Sequence, residues 1–152
     1  MTVSRVLIDS RHIHPKRSAF DYDVRFSQLD IPDFKQVTKI ELKNLVFPKI
    51  QNELYFVLKL GDMNTNLYPS GNNSNFNDCF AVVFFDNSSM AAGAYKPMKG
   101  SDLSIKQVEY EGTKPTITSV TVTALKHDGT LVQRADTAEQ VDHCILLEIT
   151  HQ

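Results

Sequence analysis

The chain has 152 residues, of which 41% are hydrophobic and 22% charged, and its formal net charge is −2. This length predicts one domain with a core of its own, and the near-neutral charge provides no general electrostatic attraction to nucleic acid or an anionic membrane. The longest apolar runs, 79–85 and 144–147, are much shorter than a membrane-spanning helix of about 20 residues. The sequence therefore predicts no transmembrane segment, and its N-terminus does not have the pattern of a signal peptide.

Short β-prone runs follow one another along the chain, and no amphipathic helix of about ten residues interrupts them. The clearest run is 19–26, where Phe20, Tyr22, Val24 and Phe26 alternate with charged residues and so form one apolar face. The predicted strands are 3–8, 19–26, 37–47, 54–60, 79–85, 104–110, 116–125, 131–134 and 142–150.

Two of these strands have unusual patterns. In 37–47 the apolar residues change parity near Asn44 and Leu45, which predicts a β-bulge. Run 79–85 is apolar at both parities, which is typical of a central strand covered on both faces. Long polar loops are predicted at about 61–78 and 86–102.

Many short strands separated by turns predict an all-β fold. We expect a single-domain antiparallel β-sandwich, specifically an eight-stranded jelly roll. The expected organisation is an N-terminal strand and basic arm over 1–18, followed by one sandwich domain over 19–152.

Residues able to carry catalysis do not form a recognisable motif. His12 and His14 would share one face of a strand, but no third metal ligand lies near them in the sequence. Asp142 and His143 are adjacent, so on a strand they would point to opposite faces and make a poor acid–base pair. We therefore predict no catalytic residue, no metal, no cofactor and no small-molecule substrate, and hence a protein that is not an enzyme.

Charged residues near the N-terminus allow several interpretations. Asp21 and Asp23 lie two residues apart and suit either a divalent cation or the solvated face of an edge strand. Basic residues outnumber acidic ones over 1–18, which suits nucleic acid or an acidic partner. Because no aromatic residues alternate with these basic ones to stack on bases, contact with a neighbouring protein, or simple solvation, is favoured. The basic residues are Arg5, Arg11, Lys16 and Arg17.

Cysteines and sequons add little to the functional prediction. Cys79 and Cys144 each lie in an apolar run, which favours two buried thiols, although a disulfide between neighbouring strands remains open. Asn72 and Asn87 begin glycosylation sequons in predicted loops.

Both ends of the chain contain the segments that resemble a known family. Residues 6–11 read Val-Leu-Ile-Asp-Ser-Arg, and they precede the alternating strand 20–26 and the strand 37–48, which ends in proline. The closing part has an Asp-Gly turn at 128–129 and the strand 142–149. These segments, about half the chain, resemble small virion proteins of large icosahedral DNA viruses. Where that family has a Tyr-Asn-Ile-like stretch after the proline, this chain has Ile-Gln-Asn-Glu-Leu.

The resemblance implies a jelly-roll capsid subunit, either the penton (vertex) protein or a minor capsid protein. Its partners would be itself, as a homopentamer or another ring, and other capsid proteins. It would be made in the host cytoplasm and located in the virion, and it would carry no catalytic residues. Apolar residues in predicted loops or at the parity change are candidate subunit contacts: Ile13, Ile31, Phe34, Leu45 and Met90.

Two other functions stay open at this point. One is a carbohydrate- or receptor-binding sandwich of a virus or phage fibre, with aromatic candidates Tyr68, Phe76 and Tyr95. The other is a metal-dependent enzyme on a double-stranded β-helix, which needs a histidine–carboxylate–histidine set that this sequence does not contain.

Overall fold

The computed structural model describes residues 1–61, 63, 79–85, 95–99, 107–133 and 141–152. Within them lie nine strands and two 3-10 helices, Ser10–His12 and Phe26–Leu29. The strands are β1 (Thr2–Asp9), β2 (Asp21–Arg25), β3 (Lys39–Pro48), β4 (Tyr55–Leu60), β5 (Ala81–Phe84), β6 (Tyr95–Lys99), β7 (Gln107–Glu109), β8 (Ser119–Leu125) and β9 (Cys144–His151). None of the helices in this part of the chain is long and apolar enough to cross a membrane.

In the described residues, two antiparallel sheets, each four strands wide, form a β-sandwich. Sheet A has the order β1-β9-β3-β6, and β7 lies end to end with β6 along the same side of β3. Sheet B has the order β2-β8-β4-β5. The predicted all-β sandwich is therefore confirmed.

The strand pairs are nested along the chain. β1 pairs with β9, β2 with β8, β3 with β6, and β4 with β5. The chain thus folds like one long hairpin, and each arm of this hairpin contributes strands to both sheets. Most contacts therefore join residues that are far apart in the sequence. The predicted N-terminal strand is present as β1, at one end of sheet A.

Alternating side chains explain why the sheets pack face to face. Phe20, Tyr22, Val24 and Phe26 are all buried between the sheets, whereas the charged residues between them face outward, as the sequence predicts. At about 25 cal/mol per Å² of apolar surface, burying such side chains is the main stabilising contribution to the fold.

The predicted bulge in the third strand is present. The register between β3 and β9 shifts between Leu42 and Asn44. An extra residue at this point changes which parity faces the core, and so both Leu42 and Leu45 are completely buried.

A second, smaller apolar cluster lies on the outer face of sheet B. It consists of Val57, Cys79 and Val82, with Tyr55 and Leu125 packed against it. The prediction that run 79–85 is covered on both faces holds for Val82. Among the described strands β5 pairs with β4 at the end of sheet B, and its last residue, Phe84, is 52% exposed.

Some predicted element bounds need correction. Residues 95–99 lie in the predicted loop 86–102, yet they form β6, because β3 is long enough to pair with a further strand there. Of the predicted strand 131–134, the described part makes one isolated bridge, from Leu131 to Leu125. Most of the predicted loop 61–78 lies outside the described residues.

Both cysteines are free thiols, with Cys79 buried and Cys144 half-buried. We expect Ellman's reagent to modify Cys144 first in the native protein, because a thiol must reach solvent to react. Cys79 should react only when the sheet opens, and both should react at once in denaturant. Equal native rates would contradict the burial described for Cys79.

Candidate functional site

A cavity of about 290 Å³ lies at one end of the sandwich. It is formed where β1 and β3 end and where β6 and β9 begin. Its lining combines charged, aromatic and thiol side chains: Asp9, Arg11, Val46, Tyr95, Asp142, His143 and Cys144.

The inner wall of this cavity is His143, which is only 4% exposed. Its Nδ1 lies 2.8 Å from the carbonyl oxygen of Val141, and its Nε2 lies 2.7 Å from the hydroxyl of Tyr22. Since a carbonyl only accepts, Nδ1 carries the proton and Nε2 accepts from Tyr22. The backbone N–H of His143 donates to Ser10 Oγ at 2.9 Å. His143, just before β9, is therefore hydrogen-bonded both to Tyr22 of β2 and to Ser10, just after β1.

Aromatic rings enclose the imidazole. Phe20 stacks on it with ring centroids 5.0 Å apart, while Phe47 and Tyr22 lie at 5.1 and 5.7 Å. Burial lowers the pKa of His143 to about 4, although the Val141 carbonyl partly opposes this shift. Burial also raises the pKa of Tyr22. The pair is therefore neutral at neutral pH and serves as a polar link inside the core.

The rim of the cavity is an ion pair. Arg11 donates to both carboxylate oxygens of Asp9, at 2.9 and 2.6 Å. This hydrogen bonding lowers the pKa of Asp9 to about 2 and raises that of Arg11. Asp142, just before β9, is exposed, whereas the neighbouring His143 is buried, and both line the cavity.

A second polar cluster covers the outer face of sheet B. Arg17 donates to Asp21 at 2.8 Å and to Asp23 at 2.8 Å, and the hydroxyl of Thr121 donates to Asp23 at 2.7 Å. The hydrogen bond from Arg17, followed by that from Thr121, lowers the pKa of Asp23. The guanidinium occupies the position that a cation would take, so the arrangement matches the solvated face of an edge strand.

A third cluster, Lys49, Glu53 and His127, lies at the β3–β4 connection. Lys49 is 9% exposed, and its ammonium donates to the carbonyls of Ile50 and Glu53 and lies 4.8 Å from the ring centroid of Phe85. The carboxylate of Glu53 lies 2.9 Å from Nδ1 of His127. Sequence reasoning missed this cluster, because a lysine and a glutamate in a turn have the pattern of surface residues.

The basic residues of the N-terminal segment are largely paired within the molecule. Arg5 lies 3.2 Å from Glu148 on the outer face of sheet A, and Arg11 and Arg17 make the ion pairs described above. The ammonium of Lys16 lies 5.5 Å from the ring centroid of Tyr22. The segment therefore presents alternating charges and does not form a continuous basic surface.

The predicted subunit contacts require correction. Ile13, Phe34 and Leu45 are 5%, 3% and 0% exposed, so their side chains are in the core of this domain and cannot reach a neighbouring subunit. Ile31 is half-buried against the same core. Met90 lies outside the described residues. Ile13, Ile31, Phe34 and Leu45 are therefore apolar because they pack inside the domain.

The predicted aromatic platform is described only in part. Tyr95 is 43% exposed and lies at the cavity, whereas Tyr68, Phe76, Asn72 and Asn87 all fall outside the described residues. The structure therefore brings Tyr95 next to Arg11 and Asp142, which the sequence did not associate with it.

Metal-ligating side chains do not converge in the described parts of the chain: no three of His, Cys, Asp and Glu are close enough there to hold an ion. His12 lies in a 3-10 helix, where strand geometry does not align it with His14. His151, at the C-terminus, belongs to β9 and bonds to the hydroxyl of Ser4 at 2.9 Å.

Neither a protein-family model nor a curated protein sequence matches this chain. The resemblance to virion proteins therefore stays a prediction from its two end segments, and the site has to be interpreted from its own geometry.

The Tyr22–His143 hydrogen bond should contribute measurably to stability. We expect Tyr22→Phe to lower the free energy of unfolding by about 1–3 kcal/mol, because it leaves a buried acceptor without a donor. Denaturant unfolding measures the change. In a His143→Phe background the same substitution should cost much less, since the acceptor is already gone. An equal cost in both backgrounds would show that the hydroxyl acts through something other than His143.

Proposed function

We propose that this chain is a structural protein of a virion, a jelly-roll subunit at the vertex (penton) or among the minor capsid proteins. In this role its sheets and edges hold neighbouring capsid subunits in place, and it carries out no chemical reaction. It would assemble as a homopentamer or another ring and would bind other capsid proteins.

The order of the strands is the observation that carries this proposal. In the described part of the chain, two four-strand-wide sheets with pairs nested from β1–β9 inward to β4–β5 support a jelly roll in which β6 and β7 together occupy one position. Jelly rolls build viral capsids, and they also form lectins and cupins. Because a fold alone does not define a function, the surfaces have to distinguish these possibilities.

The polar clusters support a structural role. Tyr22 and His143 bond to each other in the core, Arg17 is held by two aspartates, and Glu53 contacts His127. Each group is engaged in linking one segment of the chain to another. Such links stabilise the ends of a sandwich, which is where capsid subunits meet their neighbours through loops.

Particle composition and oligomeric mass test the proposal. The chain should be detected by mass spectrometry in purified particles of the virus that encodes it, in a constant ratio to the major capsid protein. The purified chain should form a ring, for which native mass spectrometry should find five copies if it is the vertex protein. A chain that is absent from particles and stays monomeric at high concentration would contradict the proposal.

A sugar-binding function is the second candidate, because lectins share this fold and the cavity has suitable side chains. Exposed Tyr95 can stack on a sugar ring, and Arg11 and Asp142 can bond to hydroxyls. A glycan array should then give hits that Tyr95→Ala abolishes and Phe84→Ala, at an exposed aromatic of the other sheet, retains. An array without hits, or hits unaffected by Tyr95→Ala, would exclude this cavity as a sugar site.

A further inference from the structure

We propose that β1 pairs antiparallel with β1 of a second copy across a twofold axis at Leu7, so that two A sheets join into one. This contact is separate from the proposed virion function and does not depend on it.

Among the described strands, β1 is an edge of sheet A without the usual protection. It has eight residues, pairs with β9 in continuous register without a bulge, and contains no proline. Within the described residues β9 is its sole partner strand. On its outer face Val3 is 56% exposed and Leu7 60% exposed. A long, regular edge with exposed apolar side chains favours pairing with another strand.

The other sheet edges have features that oppose such pairing. β2 has five residues, three of them charged, and β5 has only four residues. β6 contains Pro97, and β7 is three residues long. Short strands, charges and proline are the usual protection of an edge, so among the described strands β1 is the edge that lacks it.

The free backbone groups of β1 belong to its odd-numbered residues. Ser10 donates its N–H to the carbonyl of His143 at 3.0 Å, which makes these two residues a hydrogen-bonded pair. Hydrogen-bonded pairs alternate along an antiparallel ladder, so the even-numbered residues from Thr2 to Ile8 face β9. The N–H and C=O groups of Val3, Arg5, Leu7 and Asp9 therefore point toward the open side.

Charge selects one register among the symmetric ones. With the axis at Leu7, Arg5 of each copy lies opposite Asp9 of the other, and the two Leu7 side chains meet. With the axis at Arg5, the two guanidinium groups meet. With the axis at Val6, Arg5 faces Leu7 and Asp9 faces Val3. Since opposite charges across a strand pair stabilise it and like charges destabilise it, the Leu7 register is favoured.

This complementarity identifies the occupant as a second copy of the chain. Arg5 and Asp9 pair with Glu148 and Arg11 within each copy, and in the Leu7 register each of them also faces an opposite charge of the other copy. A twofold contact closes after two copies.

A cysteine at the axis tests the register. Directly opposed residues of a hydrogen-bonded pair have Cα atoms about 5.5 Å apart, which a disulfide can bridge. In a chain carrying Cys79→Ala and Cys144→Ser, Leu7→Cys should form a disulfide-linked species of twice the 17.2 kDa mass. Arg5→Cys should not, because the two Arg5 positions would be about 13 Å apart along the strands. Equal crosslinking of both, or none at Leu7, would overturn the proposed register.

A charge at the axis tests the contact itself. Leu7→Lys places two ammonium groups together, so we expect dimerisation measured by sedimentation to weaken at least about tenfold. Phe84→Lys, at an exposed position on the other sheet, should dimerise like the unmodified chain. Circular dichroism should give the same folded spectrum for both variants. An unmodified chain that shows no dimer, or a Leu7→Lys chain that dimerises normally, would disprove the contact.

Discussion

Replacing Phe47 with alanine should lower the free energy of unfolding by about 3–5 kcal/mol, the usual cost of removing a large buried aromatic. Phe47 is 1% exposed. Its ring centroid lies 4.1 Å from that of Phe56 and 5.2 Å from that of Phe20. Phe47 of sheet A therefore packs against Phe56 of sheet B and against Phe20, which precedes β2. A cavity at this position would loosen the packing between the sheets.

Chemical denaturation at neutral pH measures this cost, provided that the dependence on denaturant has the same slope in both proteins. Phe84→Ala is the matched control, because the same atoms are removed from a side chain that is 52% exposed. We expect its effect to be much smaller. If the two substitutions cost the same, Phe47 does not occupy the central packing position described here.

Acidification from pH 6.5 to 4 should destabilise the protein by about 3 kcal/mol through His143 alone. Burial lowers the pKa of His143 from 6.5 to about 4 in the folded state. Between these values the unfolded chain binds a proton that the folded chain does not, so stability falls as the pH falls. The contribution is complete above about pH 6.5, and the loss is complete below about pH 4.

The other titratable groups around His143 do not cause the same change of unfolding free energy with pH between pH 4 and 6.5. Asp9, whose pKa is lowered from 3.8 to about 2, affects stability only at the acid end of this window and below it, and Tyr22 titrates far above it. His143→Gln retains an acceptor for Tyr22 and cannot be protonated in this range. Unfolding free energies at several pH values should therefore lose most of their slope between pH 4 and 6.5 in this variant. A slope equal to that of the unmodified chain would assign the effect to other groups.

The local sequence pattern was sufficient to predict burial in strands whose alternate side chains face the core. The alternation in β2 predicted which residues are buried, and the parity change near Asn44 predicted the bulge of β3. In both cases the information lies within one strand, because a strand places successive side chains on opposite faces whatever its neighbours are.

The local sequence pattern did not predict the features that depend on which strands pair. Residues 95–99 contain a proline between two lysines and have no apolar alternation, yet they form β6 because β3 offers them an edge. Run 79–85 is apolar on both faces because a second cluster, with residues of β4 and β8, covers its outer face. Strand order depends on contacts between distant segments, and these have no local signature.

The candidate site residues show the same division between what the local sequence predicts and what tertiary contacts decide. The adjacent Asp142 and His143 differ in burial, and the buried hydrogen bond between His143 and Tyr22 joins residues 121 positions apart. Likewise, Ile13, Phe34 and Leu45 are recognisably apolar in the sequence, and only the tertiary structure assigns them to the core. By itself, the sequence determined the all-β class and the inward faces of its clearest strands. The tertiary structure decided what each buried side chain packs against, because hydrophobicity favours burial but does not specify the partner.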